Sequence, residues 1–323
     1  MQRCPFCRSE RVGARVEARE MAQASREPYP YLVCADCRSI RIAAIPPPIA
    51  RRHRAKAAGH AGDRVAAAGR AAARVLGGLM CRPALRMLRP LLAAPPAWCW
   101  PVLSPDLQAF LFACPRRGAR ILDVGCGDGA FLAALHRLGF RRLAGIDPHV
   151  DPERALAPVA KGDIDDIDGE FDVILFNHSL ERMAAPVAAL QTARRMLAEG
   201  GLAVIHLANA DSSEFGRWGG HWWGLHAPRH LAIPSRAGMT AAAEAAGLAI
   251  GERIATARTD NYLFSKEHSL GIARRDPQSW QTDGPDCIWQ PAHLAQARRR
   301  ALKLNSGNAA DRVCYYLRVA RTD

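Results

Sequence analysis

A chain of 323 residues, 49 % of them hydrophobic, is long enough to bury one large core or two smaller ones. A formal charge of +13 brings nucleic acid, an anionic membrane surface and phosphorylated substrates into consideration. The most apolar stretch, residues 75–100, is broken by Arg82, Arg86, Arg89 and several prolines, which excludes a membrane-spanning helix there.

In chain order, the first elements are two C-x-x-C pairs, Cys4-Pro5-Phe6-Cys7 and Cys34-Ala35-Asp36-Cys37, with 26 residues between them. Four thiolates in two such pairs suit a tetrahedral zinc ion, and with every position filled by protein the role is structural. No secretory signal precedes Cys4, so a reducing cytoplasmic location is expected and disulfides are not. The other six cysteines are scattered and read as small apolar residues. A zinc-ribbon-like module over residues 1–45, with a core of its own, is the expectation.

Residues 46–105 follow as a basic linker or cap, opening with Pro46-Pro47-Pro48 and continuing as one or two helices. Residues 41–90 carry eleven Arg or Lys against one acid, Asp63, so the excess charge sits here. Such helices can meet RNA, a membrane surface or a phosphorylated substrate. The chain uses 40 Arg against 4 Lys beside abundant Ala, which favours a compositional bias and a solvated helix face.

The stretch Ile121 to Gly129, ILDVGCGDG, is a short apolar run, an acid and three alternating glycines, followed by a helical pattern at Phe131, Leu132, Leu135 and Leu138. It reads as buried strand, tight turn and helix, the opening of an α/β nucleotide-binding unit. The glycines leave room for a ligand beside the backbone. A dinucleotide fold requires G-x-G-x-x-G; here the spacing is G-x-G-x-G, and Asp123 would repel a pyrophosphate. A carboxylate there suits a ligand carrying an amino group. Arg142 to Ile146 is the next strand, ending at Asp147, whose carboxylate can accept two ribose hydroxyls. A weak strand precedes Asp163. A strong one, Phe171 to Phe176, ends at Asn177 and His178. A helix then presents Val187, Leu190, Ala193 and Leu197, with Gly200 and Gly201 as its stop. The fifth strand is Leu202 to Leu207. Strand and helix alternate, so a parallel sheet covered on both faces is expected.

On these motifs, residues 107–254 resemble the class I S-adenosylmethionine-dependent methyltransferases. The resemblance implies a Rossmann-like seven-stranded sheet over residues 106–323. It also implies a cofactor site made by Asp123, Gly125, Cys126, Gly127, Asp147, Pro148, Asp163, Ile164, Asn177 and His178, with Asp163 at the adenine amino group.

After the fifth strand comes GRWGGHWWGLHAPRH, Gly216 to His230. Loops beyond strand ends carry substrate contacts in such sheets. Trp218, Trp222, Trp223 and Arg229 are the expected acceptor contacts, and His221, His226 and His230 the candidate bases. Trp223, Gly224, Pro228, Arg229 and His230 resemble a run found in methyltransferases that carry an N-terminal double C-x-x-C module and act in polysaccharide or glycolipid synthesis. That group has Glu-His after strand four, where this chain has Glu181-Arg182. An arginine is not a base at physiological pH, which leaves Glu181 as the further candidate. Gly238 to Gly247 reads as a helix, Leu248 to Ala255 and Val313 to Val319 as the last strands. An insertion at about 260–310 carries a basic helix around 292–304. The function expected is in-line methyl transfer to a sugar or glycan-type hydroxyl. RNA methylation, or a zinc-ribbon adaptor with a vestigial fold, are the alternatives.

Overall fold

The computed structural model describes residues 3–47, 105–113, 115–282, 284–305 and 309–320. Nearly all of the expected basic linker therefore lies outside the described residues. Three strands come first: β1 (Val12–Arg19), β2 (Pro28–Cys34) and β3 (Ile40–Ile42), paired antiparallel in that order. Helix α1 (Pro105–Phe112) leads into β4 (Arg120–Val124), α2 (Ala130–Arg137), β5 (Arg142–Asp147), β6 (Val159–Lys161), β7 (Phe171–Asn177), α3 (Pro186–Met196) and β8 (Leu197–Ala208). The chain continues through α4 (Ser213–Trp218), β9 (Ala232–Ile233), α5 (Arg236–Ala245), β10 (Leu248–Thr256), α6 (Thr259–Ser269), α7 (Pro291–Asn305) and β11 (Arg312–Val319).

Seven strands form one sheet in the order β10-β11-β8-β7-β4-β5-β6. The pairs among β4 to β8 are parallel, and β11 is antiparallel to both its neighbours. The centre is apolar on both faces: Ile121, Leu122 and Val124 of β4 and Ile174 and Phe176 of β7 are all buried. That is why these strands appear in sequence as unbroken apolar runs, not as alternating ones. Strand order reverses at β4, whose neighbours are β5 and β7. The crevice outside the carboxyl ends of β4, β5 and β7 is the place where such sheets bind ligands.

Helix α3 buries Val187, Leu190, Ala193 and Met196. It stops at Met196, earlier than the Gly200-Gly201 pair implied. Leu197 already belongs to β8, and the pairing of β8 with β7 slips between Phe171 and Val173. Gly200, at φ +69, lies within that irregular stretch of strand.

The cysteine module does not have the separate core expected of it. Strand β3 pairs with β9, Ile40 opposite Ile233, so the second sheet is completed by a strand from beyond β8. Cys4, Phe6, Cys34 and Cys37 share one apolar cluster with Leu122, Ile174 and Met239 of the large sheet and its helices. Ser235 N–H donates to Ser39 Oγ at 3.1 Å, and Ser235 Oγ donates to the Cys37 carbonyl. Gly238 sits so close that a Cβ there would run into Ser39. Burying Phe6 alone contributes about 2 kcal/mol across this junction. In the insertion, α7 is tied to α4 by Arg300 Nε on Glu214 at 2.7 Å. Among the described residues no helix is long and apolar enough to cross a membrane.

Candidate active site

The four N-terminal cysteines converge. Cys4 and Cys37 sulfurs lie 3.6 Å apart, as do those of Cys7 and Cys34, and all four fall within 4.8 Å of one another. A tetrahedral ion with sulfur at about 2.3 Å holds its ligands about 3.8 Å apart, so the donor set fits one. The two knuckles repeat one backbone pattern. Arg8 N–H donates to Cys4 O at 2.9 Å and Arg38 N–H to Cys34 O at 3.0 Å, and both arginines sit at φ 62. The left-handed residue after each pair turns the chain so that two thiols face one point.

The glycine loop follows β4 at the crevice. Gly125, Gly127 and Gly129 all have positive φ, at 75, 57 and 77. Their reasons differ. A Cβ at Gly125 would run into Ser179 Cβ, whereas one at Gly127 would meet nothing within 4 Å. The room left for a ligand is therefore at Gly127. Asp147 holds the loop by accepting Gly127 N–H at 3.1 Å and His149 N–H at 2.7 Å. Asp123 is 2 % exposed, and its Oδ1 has no hydrogen-bond partner among the described residues. Burial, with Asp147 and Asp106 adding repulsion, pushes its pKa up to about 7. A buried carboxylate without a counter-charge beside an open glycine cradle fits a cationic cofactor group. Cys126 lies in the loop with its Sγ 3.7 Å from Gly127 O. Asp163 and Pro148 are exposed, and Ile164 is buried at the far side of the crevice. Asn177 Oδ1 is buried without a partner among the described residues.

His178 does not stand alone at the end of β7. Its backbone is left-handed, at φ 55, and its ring lies 4.4 Å from that of His206. Its Nε2 is 3.3 Å from Asp106 Oδ1 and 3.2 Å from Arg312 Nη1; its Nδ1 is 3.5 Å from Glu181 Oε1. Glu181 is fully buried. Burial pushes its pKa up, but the facing His178 and His230 overcome this and hold it at about 2. His230 is buried too. Its Nδ1 bonds the Gly224 carbonyl at 2.8 Å, its Nε2 faces Glu181 Oε1 at 3.7 Å, and burial lowers its pKa to about 4. Arg258 and Asp260, paired at 2.9 Å, complete the wall. Asp106, His178, Arg258 and Asp260 each keep 23–31 % of their side-chain exposure, so solvent reaches this cluster.

The tryptophan loop splits into parts. Trp223 faces Phe264 at 5.0 Å and His226 at 4.8 Å, with the Arg274 guanidinium 4.9 Å above its ring. Trp218 is half-buried, donating to Glu214 at 2.9 Å. Trp222 is 1 % exposed and packs on Phe215, with Gly224 beneath its indole, so it is core and not an acceptor contact. Arg229 is also taken: it is buried against Glu20 of the cysteine module at 2.8 Å. His221 is exposed, next to Gly220, which packs directly on Glu17 of β1. The same module holds the His230 end, because Tyr31 Oη donates to His230 O at 2.8 Å. Asp106, His206, Arg258, Asp260 and Arg312 were not anticipated. One signal was present: His206 interrupts the apolar run Leu202 to Leu207 near the carboxyl end of its strand.

Residues 100–252 match the family described as a methyltransferase domain. The ubiquinone biosynthesis O-methyltransferase of Caulobacter sp. (strain K31) is 31 % identical over 113 residues, 29 % of this chain and 43 % of that protein. The protein of the same description from Cereibacter sphaeroides (strain ATCC 17025 / ATH 2.4.3) is 32 % identical over 123 residues, 34 % of this chain and 48 % of that one. The chain thus spans under half the length of these relatives. Among solved structures, the [4+2]-cyclase SpnF is similar with a TM-score of 0.43 at 19 % identity, over 74 % of this chain and 94 % of that one. The family match falls on the glycine loop and the parallel half of the sheet, so residues 100–252 carry a methyltransferase domain with the Rossmann-like sheet of that fold.

Proposed function

We propose that this chain transfers the methyl group of S-adenosylmethionine to a hydroxyl of a small acceptor, a sugar or glycan-type hydroxyl being the favoured class. The observation that carries the reading is the buried Asp123 carboxylate, whose Oδ1 has no hydrogen-bond partner among the described residues, in the strand that leads into the open loop at Gly127. The cofactor supplies an already activated methyl group on a sulfonium. Asp123 would balance its positive charge, Asp147 would accept the ribose hydroxyls, and Asp163 and Ile164 would meet the adenine. The protein's remaining task is alignment. Trp223, packed by Phe264 and covered by the Arg274 guanidinium, offers the part-exposed remainder of its ring to a sugar. His230 Nε2, facing the Glu181 carboxylate, is the group placed to take the hydroxyl proton, and Glu181 would stabilise the imidazolium formed. The O-methyltransferase description of the relatives supports oxygen as the acceptor atom. The four cysteines hold one structural zinc, on the sulfur geometry above.

Calorimetry and a methyl-transfer screen test this. Asp147→Ala removes two charge-assisted hydrogen bonds and should weaken S-adenosylmethionine by about 2–3 kcal/mol. Unchanged affinity in that variant would refute the cofactor assignment. Labelled cofactor presented with sugar nucleotides, lipid-linked glycans and RNA should mark a glycan class; labelling of RNA alone would overturn the acceptor reading.

A further inference from the structure

We propose that Asp106, His178 and His206 form a second metal site, for a borderline divalent ion of the Mn²⁺, Fe²⁺, Co²⁺ or Zn²⁺ kind, reachable by solvent on the Asp106 and His178 side. Three elements distant in sequence bring one donor atom each to a common point: α1, the end of β7 and the carboxyl half of β8. Asp106 Oδ1 lies 3.3 Å from His178 Nε2 and 3.1 Å from His206 Nδ1, and all three atoms fall within 4.8 Å of one another. An ion bound by nitrogen and oxygen at about 2.1 Å separates its donors by about 3.0–3.5 Å. The spacing already matches.

Asp106 Oδ1 is within hydrogen-bond distance of both rings, bonding His178 Nε2 at 3.3 Å, but the pairing with His206 falls short of good hydrogen-bond geometry. His206 is 3 % exposed, and its Nδ1, though 3.1 Å from a carboxylate oxygen, makes no hydrogen bond of acceptable geometry among the described residues. His178 is prepared in a second way. Its Nδ1 faces the fully buried Glu181 carboxylate at 3.5 Å, the arrangement that fixes the tautomer of a metal-binding imidazole from behind. Arg312, donating to Nε2, requires that nitrogen to carry the lone pair. A guanidinium on a long side chain can swing aside when an ion takes its place. The left-handed backbone at His178, uncommon for a non-glycine residue, fixes the ring on the His206 side.

Two imidazoles and one carboxylate make a donor set unlike the four thiolates, so the two sites differ in preference. Three protein ligands also leave positions open. Asp106 and His206 also line a small pocket with Phe110, Phe131 and Asn177, with room for about one water. An acceptor oxygen bound at an open position would be acidified. That consequence rests on the methyl-transfer reading; ion binding does not.

Cobalt titration of the metal-free full-length chain separates the sites. The wild type should take two Co²⁺ per chain, one with thiolate charge-transfer absorption and one without it. His206→Gln and Asp106→Asn should each keep the thiolate-bound ion and lose the other. His178→Gln, at the part-exposed ligand, provides a third variant should the buried substitution not fold, and thermal melting verifies each. One Co²⁺ per chain in the wild type, all of it thiolate-bound, overturns the site. So does a second ion that persists in every variant. Cofactor calorimetry on the cobalt-free protein shows independently whether the methyltransferase reading survives.

Discussion

On the proposed reading, Asp123 should make cofactor binding depend on pH. Its carboxyl stands at about 7 because it is buried and faces Asp147 and Asp106. A cation placed against it favours the ionised form, so binding should release a proton. Affinity for S-adenosylmethionine should rise as pH goes from 6 to 7 and level off above 8. Calorimetry giving one affinity across that range would sink the role of Asp123. Glu20 works in the opposite sense. Burial raises its pKa, but the Arg229 guanidinium and the Gln23 and Ser25 N–H groups bring it below the ordinary carboxylate value. A depressed folded pKa means stability that is present above the unfolded value and lost as pH falls through the folded one. Glu20→Gln leaves Arg229 buried without its counter-charge, at a cost of about 3–5 kcal/mol. Thermal melts should show that deficit at pH 7 and a smaller one on the acid side.

At the scale of elements, the glycine loop separates two effects that look alike in sequence. Gly125→Ala meets both a left-handed backbone and Ser179, so it should lower the melting temperature and abolish cofactor binding. Gly127→Ala meets the backbone cost alone, about 1–2 kcal/mol, and should fold while its Cβ enters the cofactor's space. Equal melting of the two variants would contradict this division. The loop, the strand ends at Asp147 and Asn177, and the cysteine knuckles were legible because each is local: a spacing, a period, a turn residue. The convergence of Asp106 with His206 was not, nor the Glu20 pair with Arg229 across 209 residues. No short-range pattern encodes which loop reaches which strand. Trp222 shows the same limit: its residue type suits a sugar face, and only the packing of Phe215 and Gly224 reveals it as core.

For the molecule as a whole, the shared apolar cluster couples the cysteine module to the methyltransferase sheet. The four thiolates are therefore expected to stabilise both. Cys34→Ser, or removal of the ion by a chelator, should lower the melting of the entire chain in a single calorimetric transition. Two resolved transitions, with the cofactor-linked one unmoved, would show the module to be independent after all. Strand β11 carries a different consequence. It is inserted between β8 and β10, and its Cys314, Tyr315 and Tyr316 are buried there. During synthesis, β8 and β10 both leave the ribosome before the strand that joins them. Until Arg312 to Val319 has emerged, each presents an unsatisfied edge. A nascent chain stalled before residue 312 should engage chaperones and resist release as soluble protein, and one stalled beyond residue 319 with tunnel clearance should not.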